Sequence, residues 1–413
     1  LGLLLGLAVQ VYLARVLGAQ GYGAYSYVIS WMSVLVIVSS WGMEGVAFRH
    51  AAAYLSTFQF GLLKGLIVRG GELVLYISLL IALTVFAVSY FLPSIIPHNL
   101  SYAMALGCLL LPIWALSNFK QSTLASFKVT VFARLPDMIV KQVMLIVFII
   151  FLMFSNPIIF SAEVVLILHI LSAFIALIIS SVFLNFKQPE SLQKIQSQFQ
   201  TKEWIKTGTS LMLISLIYVA ISQFDTIMIG IIKDTESVGI YSVSNRISQF
   251  VAFGLQAIAL IAAPMISELY ASSRFSELEK FVLTVSRWLF ISAFPILLFI
   301  IFTGEYILKI FGSEYSNGYW ILVILAISQF VNATMGAAGY LLTMSGNQKL
   351  VINILLKGLF VNILLNIPLI YLYDAIGAAL ATCVTTIVIN VLLVFKVKKL
   401  MNFNPTVFGK IHQ

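Results

Sequence analysis

The chain has 413 residues, 61% of them hydrophobic and only 9% charged, with a formal net charge of +9 and a mean hydropathy of +1.04. A water-soluble domain of this size needs far more charge to cover its surface, which excludes that class. Strict alternation of apolar and polar residues is absent, which argues against a membrane β-barrel. The remaining class is an all-α polytopic membrane protein.

Twelve apolar runs can be drawn, each about long enough to cross a hydrocarbon core of roughly 30 Å. In chain order they cover 1–17, 24–46, 73–92, 101–119, 138–154, 162–184, 208–232, 238–262, 288–303, 319–342, 351–372 and 375–395. The opening "LGLLLGLAVQVYLARVLG" reads as a first spanning helix whose start precedes residue 1. A signal peptide would need a small-residue cleavage site followed by a soluble chain. The breaks between runs carry turn or charge signals: "GAQGYG", "PSIIPHN", "FSNP", "IKDTES", "SGNQK" and "YDAIG". Residues 1–186 form an expected N-terminal six-helix bundle and 187–207 a polar linker. Residues 208–395 form a C-terminal six-helix bundle and 396–413 a basic tail.

Lys and Arg fix the expected orientation, because they stay on the cytoplasmic side. One set of loops holds Arg49, Lys64, Lys120, Lys128, Arg134, the linker lysines and the tail lysines. The opposite loops hold only Lys233 and Lys309, with several carboxylates. Both termini are therefore expected in the cytoplasm. The net positive charge is topological, and nucleic acid is not an expected partner. Cys108 and Cys383 lie within apolar runs and suggest neither a disulfide framework nor a metal site. No nucleotide-binding glycine loop and no metal-ligand spacing occurs, so neither an enzyme nor a cofactor is expected.

The phrase "GYGAYS" starts at residue 21 and "SVGIYS" at residue 237, a shift of 216. Tyr25 then meets Tyr241, and both phrases head a span entering from the outside. Six helices per half restore the same sidedness, so the repeat is parallel. Transporters built this way bind substrate between the repeats. Ser26, Ser30, Ser33, Ser40 and Glu44 share one face of the second span. The shift maps Ser30 onto Arg246, Ser33 onto Gln249 and Ser40 onto Gln256. Two related helices thus carry polar stripes at matching depth, and polar stripes avoid lipid. They either line a cavity or join helices through hydroxyl groups.

Asp225 and Arg246 lie at similar depth in spans seven and eight. They read either as an ion pair holding two helices together or as a pair touching substrate or a coupling ion. Arg15 either snorkels to the interface or binds phosphate. Glu44 and Arg49 form either an inner gate or a solvated pair. His169 reads as a packing residue rather than a proton carrier. Asn118, Gln121, Asn362 and Asn366 are membrane amides that could serve sugars or helix contacts alike.

The segments "LARVLGAQGYGAYSYVIS" (13–30), "DTIMIGIIKDTESVGIYSVSNRI" (225–247) and "YDAIGAALATCVTT" (373–386) resemble the oligosaccharide flippases of the multidrug/oligosaccharidyl-lipid/polysaccharide exporter superfamily. The resemblance covers essentially the whole chain. It implies two six-helix bundles around a central cavity, alternating access, and an undecaprenyl-pyrophosphate-linked oligosaccharide as cargo. It further implies an H+ or Na+ coupling ion, a monomer in the bacterial cytoplasmic membrane, and association with polysaccharide polymerase machinery. Alternatives are a cation-coupled drug exporter or lipid II flippase of the same superfamily, or a membrane polysaccharide polymerase or ligase. The short outside loops argue against the last.

Overall fold

The computed structural model describes residues 2–97, 100–155, 160–189, 192 and 195–409. Among the described residues there is no strand, and the chain is a succession of long apolar helices. Nine of them are long and apolar enough to cross a membrane. Two of the nine contain a non-helical residue that divides each into two spans: Gly18 in Gly2–Ser40 and Asp374 in Gln348–Met401. Thr235–Ser248 and Phe253–Ala271, separated by the short turn Gln249–Ala252, supply one more. Nine plus two plus one gives the twelve expected spans.

Several breaks fall on the turn signals. Gly18 has φ 66°, Gly346 in "SGNQK" has φ 83°, and Asp374 in "YDAIG" has φ 55°. This left-handed region suits Gly, and Asp tolerates it better than most residues. The "FSNP" signal lies partly outside the described residues. Many helices overrun the apolar windows. Span three is Phe60–Phe91, span seven Thr201–Ile232 and span nine Phe275–Phe311. Hydropathy marks only the stretch that sits in lipid, whereas backbone hydrogen bonding continues into the polar flanks. Pro136 opens a π-helical turn, Pro136–Val140, at the start of the fifth span. Such turns accommodate a proline that cannot donate its backbone hydrogen bond.

The helices pack into two compact units, residues 1–223 and 224–413. The boundary falls inside helix Thr201–Ile232, not in the polar segment before it. In the first unit, helix Leu110–Ser126 is central and packs on Gly2–Ser40, Phe60–Phe91 and Ala162–Lys187. Small residues permit the close approaches, as where Gly70 faces the ring of Phe119 and Gly107 faces Val28. At the end of the first long helix, Trp41 and Gly42 both take positive φ and break the helix before Met43–Val46. Gly42 lies against the carbonyl of Gly208, and Trp41 Nε1 donates to Thr209 Oγ1 at 3.1 Å.

The segment expected as a polar linker is docked. Gln198 N donates to the carbonyl of Gly61 at 2.9 Å, and Lys64 Nζ to that of Ile195 at 2.9 Å. The fully buried Trp204 donates through Nε1 to Tyr54 Oη at 3.0 Å. In the second unit, Tyr319–Met335 packs between Phe275–Phe311 and Gln348–Met401. Leu278, Val282, Leu289, Leu341, Ile389 and Val397 belong to its core. The basic tail is also docked in part. The last helix runs on to Met401, Phe403 is buried, and Ser286 Oγ donates to the carbonyl of Pro405 at 2.7 Å. Outward faces of the spans present Tyr76, Leu80, Leu83, Phe299, Phe302 and Leu364, all exposed. Apolar exposure on this scale belongs in lipid.

Candidate functional site

The second unit holds a buried carboxylate, Asp225, on the helix Thr201–Ile232. The chain reverses at Lys233 and Asp234, where the Asp234 side chain caps the next helix by accepting from Ser237 N at 2.8 Å. The reversal brings Tyr241 back to the level of Asp225, sixteen residues earlier, and Tyr241 Oη donates to Asp225 Oδ2 at 2.7 Å. A second reversal at Asp374 folds the last long helix on itself. Gly377 there lies against the backbone of Leu369 and Ile370, a contact closer than any side chain allows. It aligns Thr382 with Asn362 and Asn366, which share one face at a four-residue step. Asn366 Nδ2 donates to Asp225 Oδ1 at 2.9 Å and Asn362 Nδ2 to the same oxygen at 3.3 Å. Thr382 Oγ1 donates to Oδ2. The two reversals are joined by Ser237 Oγ donating to Asp374 Oδ2 at 3.1 Å.

Asp225 is therefore enclosed by four neutral side chains. A buried carboxylate with no counter-ion is costly unless donors or a cation compensate it. The shell is made of oxygens and amides: one carboxylate, two amides, two hydroxyls. The Oδ1 of Asn366 is buried without a partner. Turning that amide over would present its oxygen beside the Asp225 carboxylate. Carboxylate, amide carbonyl and hydroxyl oxygens are hard donors that suit hard cations. The site thus has the chemistry to hold one monovalent cation or one proton.

The expected Asp225–Arg246 pair does not form. Asp225 spends its oxygens on the four neutral donors, and the described ion pairs all join residues three or four apart in the chain. Arg246 is half-buried and Gln249 is exposed in the turn that breaks the eighth span. The expected continuous stripe is interrupted there, and the side chain of Gln256 lies outside the described residues. In the first unit Ser30 is buried, and Ser33 Oγ donates to the carbonyl of Ile29 at 2.7 Å. Arg15 and Arg49 are exposed and Glu44 is half-buried. The repeat acquires a concrete counterpart, however. Tyr25, which the 216-residue shift sets on Tyr241, also anchors a buried titratable group: its Oη bonds His169 Nδ1 at 2.7 Å. The shift also sets Gly18, the break in the first unit, on Asp234, the break in the second.

Thr382, Asn362 and Asn366 were legible as polar residues in apolar helices, but not as partners of Asp225. The available signal was the four-residue spacing of the two asparagines opposite a threonine across a turn.

The family described as "Polysaccharide biosynthesis protein" matches residues 1–270, and the MatE family matches residues 210–372. Two curated proteins of Haloferax volcanii are similar. The probable low-salt glycan biosynthesis flippase Agl15 is 30% identical over 179 residues, 41% of this chain and 36% of that protein. The probable flippase AglR is 27% identical over 189 residues, 45% of this chain and 40% of that protein. The matches thus span well under half of these relatives. Among solved structures, an inward-facing multidrug resistance MATE transporter of the MOP superfamily superposes with a TM-score of 0.81 at 13% identity, covering 97% of this chain and 95% of its own. The lipid II flippase MurJ, in an inward closed conformation, gives 0.71 at 19% identity, covering 96% and 86%. These likenesses establish a shared fold. With residues 1–270 of its 413 matched, the chain belongs to the polysaccharide biosynthesis protein family.

Proposed function

We propose that this protein is a flippase that moves undecaprenyl-pyrophosphate-linked oligosaccharide units across the bacterial cytoplasmic membrane by alternating access, for surface polysaccharide assembly. A cation, Na+ or H+, bound at Asp225 drives the movement. The carrying observation is the Asp225 shell. Four helical segments contribute a single buried carboxylate and four polar side chains, and among the described residues no cationic side chain pairs with it. A cation entering this shell neutralises Asp225 and draws the oxygens of Asn362, Asn366 and Thr382 inward. That tightens two helical hairpins on each other, so binding energy becomes conformational bias. Arg15, Arg246 and Gln249 remain the proposed contacts to the anionic head group, because each keeps part of its side chain exposed. Ser30 and Ser33 are the proposed neighbours of that path, and Glu44 and Arg49 its inner gate.

The family match and the names of the two glycan-related relatives support a lipid-linked glycan cargo. The Lys/Arg asymmetry supports cytoplasmic termini. A cation-coupled drug exporter is the competing reading, favoured by the MatE match over residues 210–372.

The test uses the full chain in proteoliposomes carrying a fluorescent lipid-linked oligosaccharide. Translocation should require an inward or outward Na+ or pH gradient, and Asp225→Asn should remove the gradient dependence at unchanged protein abundance. Gradient-driven flipping by Asp225→Asn at the unsubstituted rate would overturn the coupling role. Gradient-driven uptake of cationic dyes with no effect on the glycolipid would establish the drug exporter instead.

A further inference from the structure

Asn118, Gln121, Ser122 and Ala125 recur at steps of three and four along Leu110–Ser126, so they share one helical face. That face, with Glu44, Phe48 and Arg134, lines a cavity of about 310 Å³ wholly within the first unit. The helix turn Met43–Val46 brings in Glu44, and Thr130–Leu135 brings in Arg134. Gln121 Nε2 donates to Ser117 Oγ at 2.9 Å. Among the described residues, the carboxylate of Glu44, the amide of Asn118, the hydroxyl of Ser122 and the guanidinium of Arg134 make no side-chain hydrogen bond or ion pair. A carboxylate and a guanidinium thus line one cavity yet are held apart by the segments that carry them. Both keep their full hydrogen-bonding capacity.

The lining selects by exclusion. Glu44 disfavours a plain anion, Arg134 disfavours a plain cation, and Asn118, Gln121 and Ser122 disfavour an apolar ligand. A planar guanidinium donates two parallel hydrogen bonds to a phosphate. A carboxylate accepts from neighbouring hydroxyls, and an amide offers both a donor and an acceptor to them. Phe48 adds an apolar surface for the C–H face of a sugar ring. The volume lies at the lower end of small-molecule sites, about 300–1,000 Å³. It suits one sugar with its phosphate and not a whole repeat unit. Arg134 also belongs to the Lys/Arg-rich loops, the side on which a cargo would be loaded.

We propose that this pocket is a first loading stop, ahead of the head-group contacts proposed above and beside the gate that Glu44 forms, and that it receives the glycosyl phosphate of the lipid-linked cargo, with Arg134 on the phosphate and Glu44, Asn118 and Gln121 on the ring hydroxyls. The cargo itself rests on the function proposed above; the pocket chemistry does not.

The experiment titrates the purified full chain in nanodiscs with glucose 1-phosphate, inorganic phosphate and glucose, followed by calorimetry. Glucose 1-phosphate should bind saturably and about tenfold or more tighter than either fragment. Arg134→Gln and Glu44→Gln should each weaken it about tenfold, the effect of one charge-assisted hydrogen bond. Arg134 is exposed and Glu44 half-buried, so both variants should fold; Ser122→Trp, which fills the cavity, should abolish binding. A short-chain isoprenyl phosphoglucose should displace glucose 1-phosphate, which identifies the lipid-linked form as the source. Four results each overturn the proposal: no saturable binding, equal affinity for inorganic phosphate, indifference to both substitutions, or failure of the lipid-linked probe to compete. Flipping driven through Asp225 can fail while this binding persists, so the two readings fail separately.

Discussion

Gly377 is not a hydrogen-bond partner of Asp225, yet Gly377→Ala should disturb the shell around it. An added Cβ would stand 2.8 Å from the nitrogen of Ile370 and closer still to the carbonyl of Leu369. Ordinary contact begins at 3.4 Å, so the Ile370 nitrogen alone requires the two halves of the hairpin to part by 0.6 Å (3.4 minus 2.8), and the closer Leu369 carbonyl requires more. Thr382 Oγ1 and Asn362 Nδ2 already lie 3.4 Å apart. A separation of that size or more carries them to about 4.0 Å or further, beyond hydrogen-bonding reach. Overpacking against backbone costs about 1–3 kcal/mol. The lost hydrogen bond adds about 1 kcal/mol. Against these stands the better helix propensity of Ala, also about 1 kcal/mol. Overpacking wins, and the net loss is about 1–3 kcal/mol. For a unit of this size that lowers the melting midpoint by roughly 2–12 °C. The assay is thermal unfolding of the full chain in detergent, followed by fluorescence-detected size exclusion, with and without Na+. The cation should also stabilise the variant less than it stabilises the parent, since Thr382 has moved from the site. A Gly377→Ala protein that melts at or above the parent, with the same cation response, would refute the close-packed hairpin as the element that positions Thr382.

Gly42→Ala combines a left-handed φ of 66° with a Cβ driven into the Gly208 carbonyl, and should cost more than about 2 kcal/mol. Its readout is the yield of monodisperse protein, and a normal yield would contradict the close-packed Trp41–Gly42 break. Tyr25→Phe leaves His169 Nδ1 without its partner while Nε2 already lacks one, so a loss of about 1–3 kcal/mol is expected. Unchanged thermal stability would show that the histidine finds water or another donor. Cysteines at the exposed Asn317 and Gln196 should label from opposite sides of the membrane, Asn317 from outside. Labelling of Gln196 by an impermeant reagent in intact cells would reverse the proposed orientation.

Span number, turn positions and the internal repeat were legible in the amino-acid order because each rests on short-range physics. About twenty apolar residues are enough to place a helix in hydrocarbon, whatever surrounds it. Gly18, Gly346 and Asp374 mark breaks because a local backbone conformation demands them. The paired phrases around Tyr25 and Tyr241 led to two buried hydroxyls that perform parallel tasks, one on His169 and one on Asp225. The identities of those partners depended on packing. Asn362, Asn366 and Thr382 lie 137, 141 and 157 residues from Asp225 along the chain. Their approach is decided by how closely Gly377 lets one helix fold onto another, and hydropathy carries no such information. The same limit accounts for the expected Asp225–Arg246 pair. Matching depth along two helices says nothing about rotation, and it was rotation that turned Tyr241, not Arg246, toward the carboxylate. The polar stretch before helix Thr201–Ile232 read as a linker because its residues are hydrophilic. Tertiary structure docked it through the backbone of Gly61 and the indole of Trp204, groups whose hydrogen bonds must be satisfied once they are buried.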